Sequence, residues 1–314
     1  MKENTRIQIE NMKAQTIGVE VEMNNIRRDT AAKIAAEFFG TNHSEYTGEG
    51  YYTWTAWDQQ GRKWKFQRDV SIHGADAEKC ELVTPILNYD DIETLQELCR
   101  RLRKAGAKSD ATRGCGVHIH IGAPGHTPQT LRNLVNLMAS HESLIANALK
   151  INEYRLGTYC KPVEPELVKR INKEKPQTMD KLADVWYEAN GATYGRNHHY
   201  NDSRYHMLNL HATFTKGTIE FRLFQFDAPA NGKQNGIHAG QLKAYIQFCL
   251  ALSNMAKMAK TVSPKEPQVE NQKFAMRTWL MRLGFIGEEF ATARDFLTRN
   301  LQGDAAFRFG RPAA

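Results

Sequence analysis

The chain has 314 residues, room for one large domain or two small ones, and its 41% hydrophobic and 25% charged residues suit an ordinary globular protein. No apolar run reaches the ~18 residues of a membrane span, and the polar start MKENTRIQIENMKAQ lacks the apolar core of a secretory signal. The net charge of +7 admits anionic partners, but much of it is spread along predicted helices, which favours a solvated surface or a phosphate-bearing small substrate over nucleic acid.

Residues 15–24 read as a first strand. A helix follows from Asp29-Thr30 through AAKIAAEFF and stops at Gly40. Residues 41–50 are a polar turn region. Residues 51–57 and 63–68 read as a hairpin around Gln59-Gln60-Gly61. Residues 79–86 form a short strand stopped by Pro85. Ile92, Leu95, Leu98 and Leu102 recur at helical spacing over 90–105. Residues 113–122 are a strand, and 128–149 one long helix with Leu131, Leu134, Val135, Leu137 and Met138 as its apolar face. The stretch 155–203 is irregular, with a helix at 178–189 and the polar loop GATYGRNHHYNDS, the kind of segment that contacts substrates. Residues 204–214 and 218–226 read as two strands joined by a tight turn at Lys216-Gly217. Helices at 237–260, 270–283 and 287–301 complete the chain. This order predicts an α+β fold, a mostly antiparallel sheet with helices on its outer face. There is no internal repeat, no G-x-G-x-x-G and no G-x-x-x-x-G-K-[ST], so neither a Rossmann nor a P-loop nucleotide site is expected. Cys80, Cys99, Cys115, Cys160 and Cys249 are odd in number and form no C-x-x-C pair, which predicts free thiols in a reducing cytoplasm and no zinc ribbon.

Three stretches carry the chemistry. In Gly18-Val19-Glu20-Val21-Glu22 the two carboxylates share one strand face, about 6–7 Å apart. Two such groups repel and lose hydration, and a divalent cation such as Mg²⁺ or Mn²⁺ relieves both effects. Alone, the pair fits an ordinary wet strand face better than a metal site. RGCGVHIHIG puts His118 and His120 on one face, with Gly114, Gly116 and Gly122 leaving room for a ligand beside the backbone. That pair alone fits a zinc site or a hydrolase fragment too. In TIEFRLF, Glu220 and Arg222 share a face, either as metal ligand and phosphate contact or as a plain ion pair. Cys115 beside His118 reads as inert packing, not as a nucleophile.

The ordered set GVEVEM, D-x-S (Asp69, Ser71), ELVTP, GCGVHIHIG, RYHMLNL and TIEFRLF, spanning roughly residues 15 to 250, resembles the putative amidoligase family. That family belongs to the carboxylate–amine ligase superfamily, with glutamine synthetase and glutamate–cysteine ligase. The resemblance implies that the antiparallel sheet forms an open half-barrel funnel of the glutamine synthetase type. ATP would enter one end and the amine-bearing substrate the other, with Mg²⁺ or Mn²⁺ between them. Carried over by position, it makes Glu20, Glu22, Glu81, His118 and Glu220 the metal ligands, His118 lying near the phosphates. Arg222 becomes the phosphate contact and Arg204 the arginine facing the transferring phosphate. Gly114, Gly116, His120 and Asp69 fall on the substrate side, the last two without assigned chemistry. The implied activity is ATP-dependent amide formation from a small-molecule or peptide acid and an amine, through an acyl phosphate. A metal-dependent hydrolase or nuclease using the same Glu/His cluster without ATP is the alternative. The ligase domain is expected at 1–260, with 261–314 a C-terminal helical extension, no membrane association, and an oligomer compatible with the superfamily's ring assemblies.

Overall fold

The computed structural model describes residues 3–228 and 236–309. It divides into two compact units, Thr16–His120 with Phe224–Lys243, and Met1–Gln15 with Ile121–Leu223 and Ala244–Ala314. No described helix is long and apolar enough to cross a membrane.

The first unit is built on β1 (Ile17–Met23), β2 (Ser44–Gly48), β3 (Thr53–Trp57), β4 (Lys63–Gln67), β5 (Cys80–Val83) and β6 (Val117–Gly122), whose first four residues belong here. Their order is β2-β3-β4-β5-β1-β6. The pairings β2–β3, β3–β4, β4–β5 and β5–β1 are antiparallel, as the hairpin-rich pattern predicts. The helix Arg28–Phe39 lies on β2, β3 and β4, burying Ala31, Ala32, Ala35, Ala36 and Phe39. The alanines let its backbone approach the sheet, and Phe39 meets the buried Trp64 with ring centres 4.9 Å apart. The helix ends, as expected, at Gly40 in the left-handed conformation. The β3–β4 turn is held by Asp58, whose carboxylate accepts from the backbone N–H of Gln60 and Arg62, from Arg62 Nε and from Trp64 Nε1. The strand β2 falls inside the expected turn region. It is a polar edge with no alternating apolar face, so periodicity does not reveal it.

In the second unit β7 (Leu208–Asn209) pairs antiparallel with β8 (Thr218–Phe224), Asn209 facing Glu220. The predicted second hairpin is corrected here. Residues 202–204 form a single 3₁₀ turn, β7 is only two residues long, and His211–Lys216 is a helix ending at left-handed Gly217. Thr215 Oγ1 donates to the His211 carbonyl four residues back, at 2.8 Å, a bond closed by the helical turn. The single helix predicted for 128–149 is two, Pro128–Ala139 and Glu142–Leu149. At the break Ser140 Oγ bonds back to the carbonyls of Asn136 and Leu137, at 2.8 and 3.2 Å. The stretch 155–203 contains the predicted helix, Met179–Ala189, and also Glu153–Thr158 and Pro165–Glu174. Pro165 occupies the first turn of its helix, where a missing N–H costs nothing. Ala239–Met258, Gln272–Arg282 and Ala291–Thr298 match their predicted helices.

Gly114 is required by contact with backbone as well as by conformation. Gly114 has φ +69°, and a Cβ there would lie 2.5 Å from the Ser71 carbonyl oxygen. Gly191 has φ +59° with open space around it. Gly191→Ala is therefore expected to cost about 1–2 kcal/mol from backbone strain alone. Gly114→Ala should cost at least about 2 kcal/mol more, because Ser71 must move. Thermal melts of the two variants give the comparison, and equal losses would remove the contact argument.

Candidate active site

β1 buries Ile17, Val19 and Val21 on one face and turns Glu20 and Glu22 to the other. Glu22 stands opposite Glu81 on β5, and Glu81 opposite Gln67 on β4. Directly opposed residues in antiparallel strands share a face, so this register makes one polar row across three strands. From β6, His118 Nδ1 lies 3.0 Å from Glu20 Oε2 and its Nε2 3.8 Å from Glu22 Oε1. His120 Nε2 lies 3.2 Å from Glu20 Oε1. The Gly116 N–H donates to Glu22 Oε2 at 2.6 Å, and Gln67 Nε2 donates to Glu81 Oε2 at 2.7 Å. Glu22 and Glu81 are each only 4% exposed, so these contacts stand in for lost water.

The charges are divided unequally. Burial favours the neutral form of Glu20, but the rings of His120 and His118 outweigh it and hold the carboxyl well below its usual range. Burial, followed by the charges of Glu20, Glu22 and Asp69, pushes Glu81 well above that range. Ligand atoms of Glu20, Glu81 and His118 lie within 4.8 Å of one another, and so do those of Glu22, Asp69 and Glu81. Two cation positions sharing Glu81 fit this geometry. A donor set of carboxylates with one imidazole and no thiolate suits Mg²⁺ or Mn²⁺.

The D-x-S stretch has a local explanation. Asp69 Oδ1 accepts from the backbone N–H and the hydroxyl of Ser71, at 2.7 and 2.6 Å, and this turn sets the carboxylate toward Glu22 and Glu81. Gly114 then lets the Ser71 carbonyl pack against the loop leading to β6. Cys115 is buried, and burial raises its thiol far above the reactive range, in keeping with a packing role.

Glu220, Arg222 and Arg204 lie in the second unit. Arg222 Nη1 donates to Glu220 Oε1 at 2.5 Å, and Asn209 Nδ2 to Glu220 Oε2 at 2.6 Å. Each oxygen of Glu220, expected as a metal ligand, thus accepts one hydrogen bond and keeps a further lone pair that a cation could take. Arg222 is 5% exposed, and its guanidinium lies 5.8 Å from the Tyr205 ring centre. The Arg204 guanidinium lies the same 5.8 Å from Tyr200 and Tyr205, with Nη1 donating to the His199 carbonyl at 3.1 Å. His211 Nδ1 is 2.7 Å from the Tyr187 hydroxyl; burial, with the Arg204 charge behind it, lowers this ring's pKa to about 4.

Four neighbours of these groups escape sequence reasoning: Gln67, Asn209, Tyr205 and His211. Gln67 and Asn209 become visible only once the strand register is known. The other two carry no spacing signal.

No curated protein matches the chain. The crystal structure of a bifunctional glutathione synthetase from Pasteurella multocida aligns with 96% of this chain and 49% of its own, at 13% identity and a TM-score of 0.40. The chain thus spans about half the length of that enzyme, and similarity at this level establishes neither fold nor activity. The family model described as "Putative amidoligase enzyme" matches residues 13–253, which hold every residue of the polar row and of the Glu220–Arg222 pair. With well over half its length matched, and the motif order that the residues themselves display, the chain belongs to this amidoligase family.

Proposed function

We propose that the protein is an ATP-dependent ligase that joins a carboxylate to an amine. The observation that carries this reading is the row of Glu20, Glu22 and Glu81 with His118 and Asp69, whose ligand atoms gather in threes within 4.8 Å of one another. Glu20, Glu22, Glu81 and His118, with Asp69 beside them, would hold Mg²⁺ or Mn²⁺. Such a cation supplies charge neutralisation for the β- and γ-phosphates of ATP. A free carboxylate acylates poorly because oxide is its leaving group. Its oxygen attacks the γ-phosphorus, the bond to the β-phosphate oxygen breaks, and ADP leaves. The amine nitrogen then attacks the acyl carbon, phosphate departs, and the nitrogen loses a proton, so no enzyme nucleophile is required. Arg222 and Arg204 supply the positive charge that anionic reactants need. His118 and His120 fix Glu20 as an ionised carboxylate. The ligase function falls on residues 1–260 on this reading, with the helices of 261–314 packed within the second unit.

Purified protein with Mg²⁺ and ATP should release ADP only when the correct acid and amine are supplied, for instance from fractionated metabolite extract, with the new amide detected by mass spectrometry. Glu20→Gln should reduce that release at least about 100-fold, as loss of a charge-stabilising group typically does. An unchanged rate would remove Glu20 from the site. Substrate cleavage with metal but no nucleotide would instead favour a hydrolase.

A further inference from the structure

The tip between β2 and β3, Gly48-Glu49-Gly50-Tyr51-Tyr52, is a strained turn in the first unit. Four of its residues have positive φ: Gly48 +75°, Glu49 +32°, Gly50 +81° and Tyr52 +50°. The left-handed region is open to glycine but costly for a glutamate or a tyrosine. Such residues persist only where their surroundings fix them, and they gather at binding and switch segments. Here the fixing comes from β4 and the residue after it. The Glu49 carboxylate pairs with Lys65 Nζ, and the Tyr51 carbonyl accepts from the Arg68 N–H at 2.8 Å. Lys65 lies two residues before Gln67, so both side chains leave the same face of β4. Lys65 stands opposite Val83, and Val83 opposite Glu20, in a line beside the row of Gln67, Glu81 and Glu22. Neighbouring strands lie about 5 Å apart, and along that line one short apolar side chain, Val83, separates Lys65 from Glu20.

We propose that Lys65 is a further reactant-binding residue of this site, meeting phosphate oxygens, and that the tip is its latch: Glu49 holds the ammonium until a phosphate takes its place. The exchange conserves charge, since one anion leaves the ammonium as another arrives. It also gives the strain a role. A relaxed tip would hold Lys65 at no cost to itself. One that carries Glu49 and Tyr52 in left-handed backbone recovers on release part of what the broken ion pair loses. The pair is open to incoming anions, with 34% of the Lys65 side chain and 35% of the Glu49 side chain exposed, and a pair so exposed is weak enough to exchange. The inference rests on the ligase reading for the identity of the anion, and deepens it by adding a cation to a row made of carboxylates, imidazoles and Gln67.

The test is calorimetric titration of the full chain with inorganic tripolyphosphate, with excess Mn²⁺ throughout and no acid, amine or nucleotide. Lys65→Met should weaken binding at least about tenfold, the effect of losing one hydrogen bond between charged groups, and Lys65→Arg should keep most of it. Glu49→Gln should tighten binding about two- to fivefold, because the competing carboxylate is gone. A purely structural ion pair cannot give opposite signs, since breaking it from either side loosens the same tip. Glu49 is exposed, so its variant stays informative even if Lys65→Met misfolds. No saturable binding by the wild type, binding untouched by Lys65→Met, or binding weakened by Glu49→Gln would each overturn the proposal. ADP release alongside any of those results would leave the ligase reading standing. The expected binding pattern without ADP release from any acid and amine would refute the ligase reading and leave the latch standing.

Discussion

Glu81→Gln should raise the melting temperature of the metal-free protein and at the same time abolish its stabilisation by Mg²⁺ or Mn²⁺. Without a cation, Glu81 sits 4% exposed among Glu20, Glu22 and Asp69, and both burial and those charges oppose its ionisation. An amide has the shape of the neutral acid and can keep a hydrogen bond to Gln67 after a side-chain flip. The relief should be about 1–2 kcal/mol, or roughly 2–8 °C. It should also depend on pH in one direction. The folded-state pKa of Glu81 lies above the unfolded value of 4.5, so its contribution is fully present below that value and is lost as pH rises through the folded pKa. The glutamine variant lacks this loss, so its advantage should be near zero at pH 4.5 and grow toward pH 8. With metal the order reverses. A hundredfold excess of cation over Kd adds about 2.7 kcal/mol to the wild type. The variant, missing the ligand shared by both candidate positions, should gain little. Melts at pH 5 and pH 8, with and without Mn²⁺, give all four values. A lower metal-free melting point for the variant at pH 8, or an unchanged Mn²⁺ response, would mean that this row is not a cation site.

The sequence shows which residues share a face better than it shows which residues meet. Glu20 and Glu22, His118 and His120, and Glu220 and Arg222 are each two apart, and the two-residue period of a strand places each pair without further information. Which strands lie side by side is not a local property. The opposition of Glu22 to Glu81, and of Glu81 to Gln67, follows from β5 inserting between β1 and β4, strands about 40 residues apart in sequence. Local chemistry also overrules periodicity in places. His211–Lys216 alternates like a strand yet coils into a helix, and Ser140 interrupts an otherwise continuous apolar stripe with two bonds to the preceding turn. Asn209 is the clearest omission, because nothing in RYHMLNL distinguishes it until β7 places it opposite Glu220.

Arg222→Met should destabilise the protein by about 3–5 kcal/mol, more than any other substitution considered, and adding Glu220→Gln should restore most of that loss. Glu220 and Arg222 are 2% and 5% exposed, so their charges are compensated by each other and by Asn209, with little help from water. Removing the cation alone leaves a buried carboxylate with a neutral amide, Asn209, on its other oxygen. Such a group must either stay charged with less compensation or take up a proton, and both are costly. Glutamine at 220 needs no cation, and its carbonyl can still accept from Asn209 Nδ2. The double variant should therefore lie within about 2 kcal/mol of wild type, with a coupling energy of roughly 2–3 kcal/mol. Urea midpoints for the two single variants and the double variant measure it. The functional outcome should run the other way. If Arg222 serves anionic reactants as well as Glu220, the repaired double variant folds but regains none of the ADP release. Recovery of activity together with stability would show that Arg222 is a structural partner of Glu220 and nothing more. A single-variant loss below about 1 kcal/mol would show that the pair is solvated in solution, since exposed ion pairs are worth no more than that.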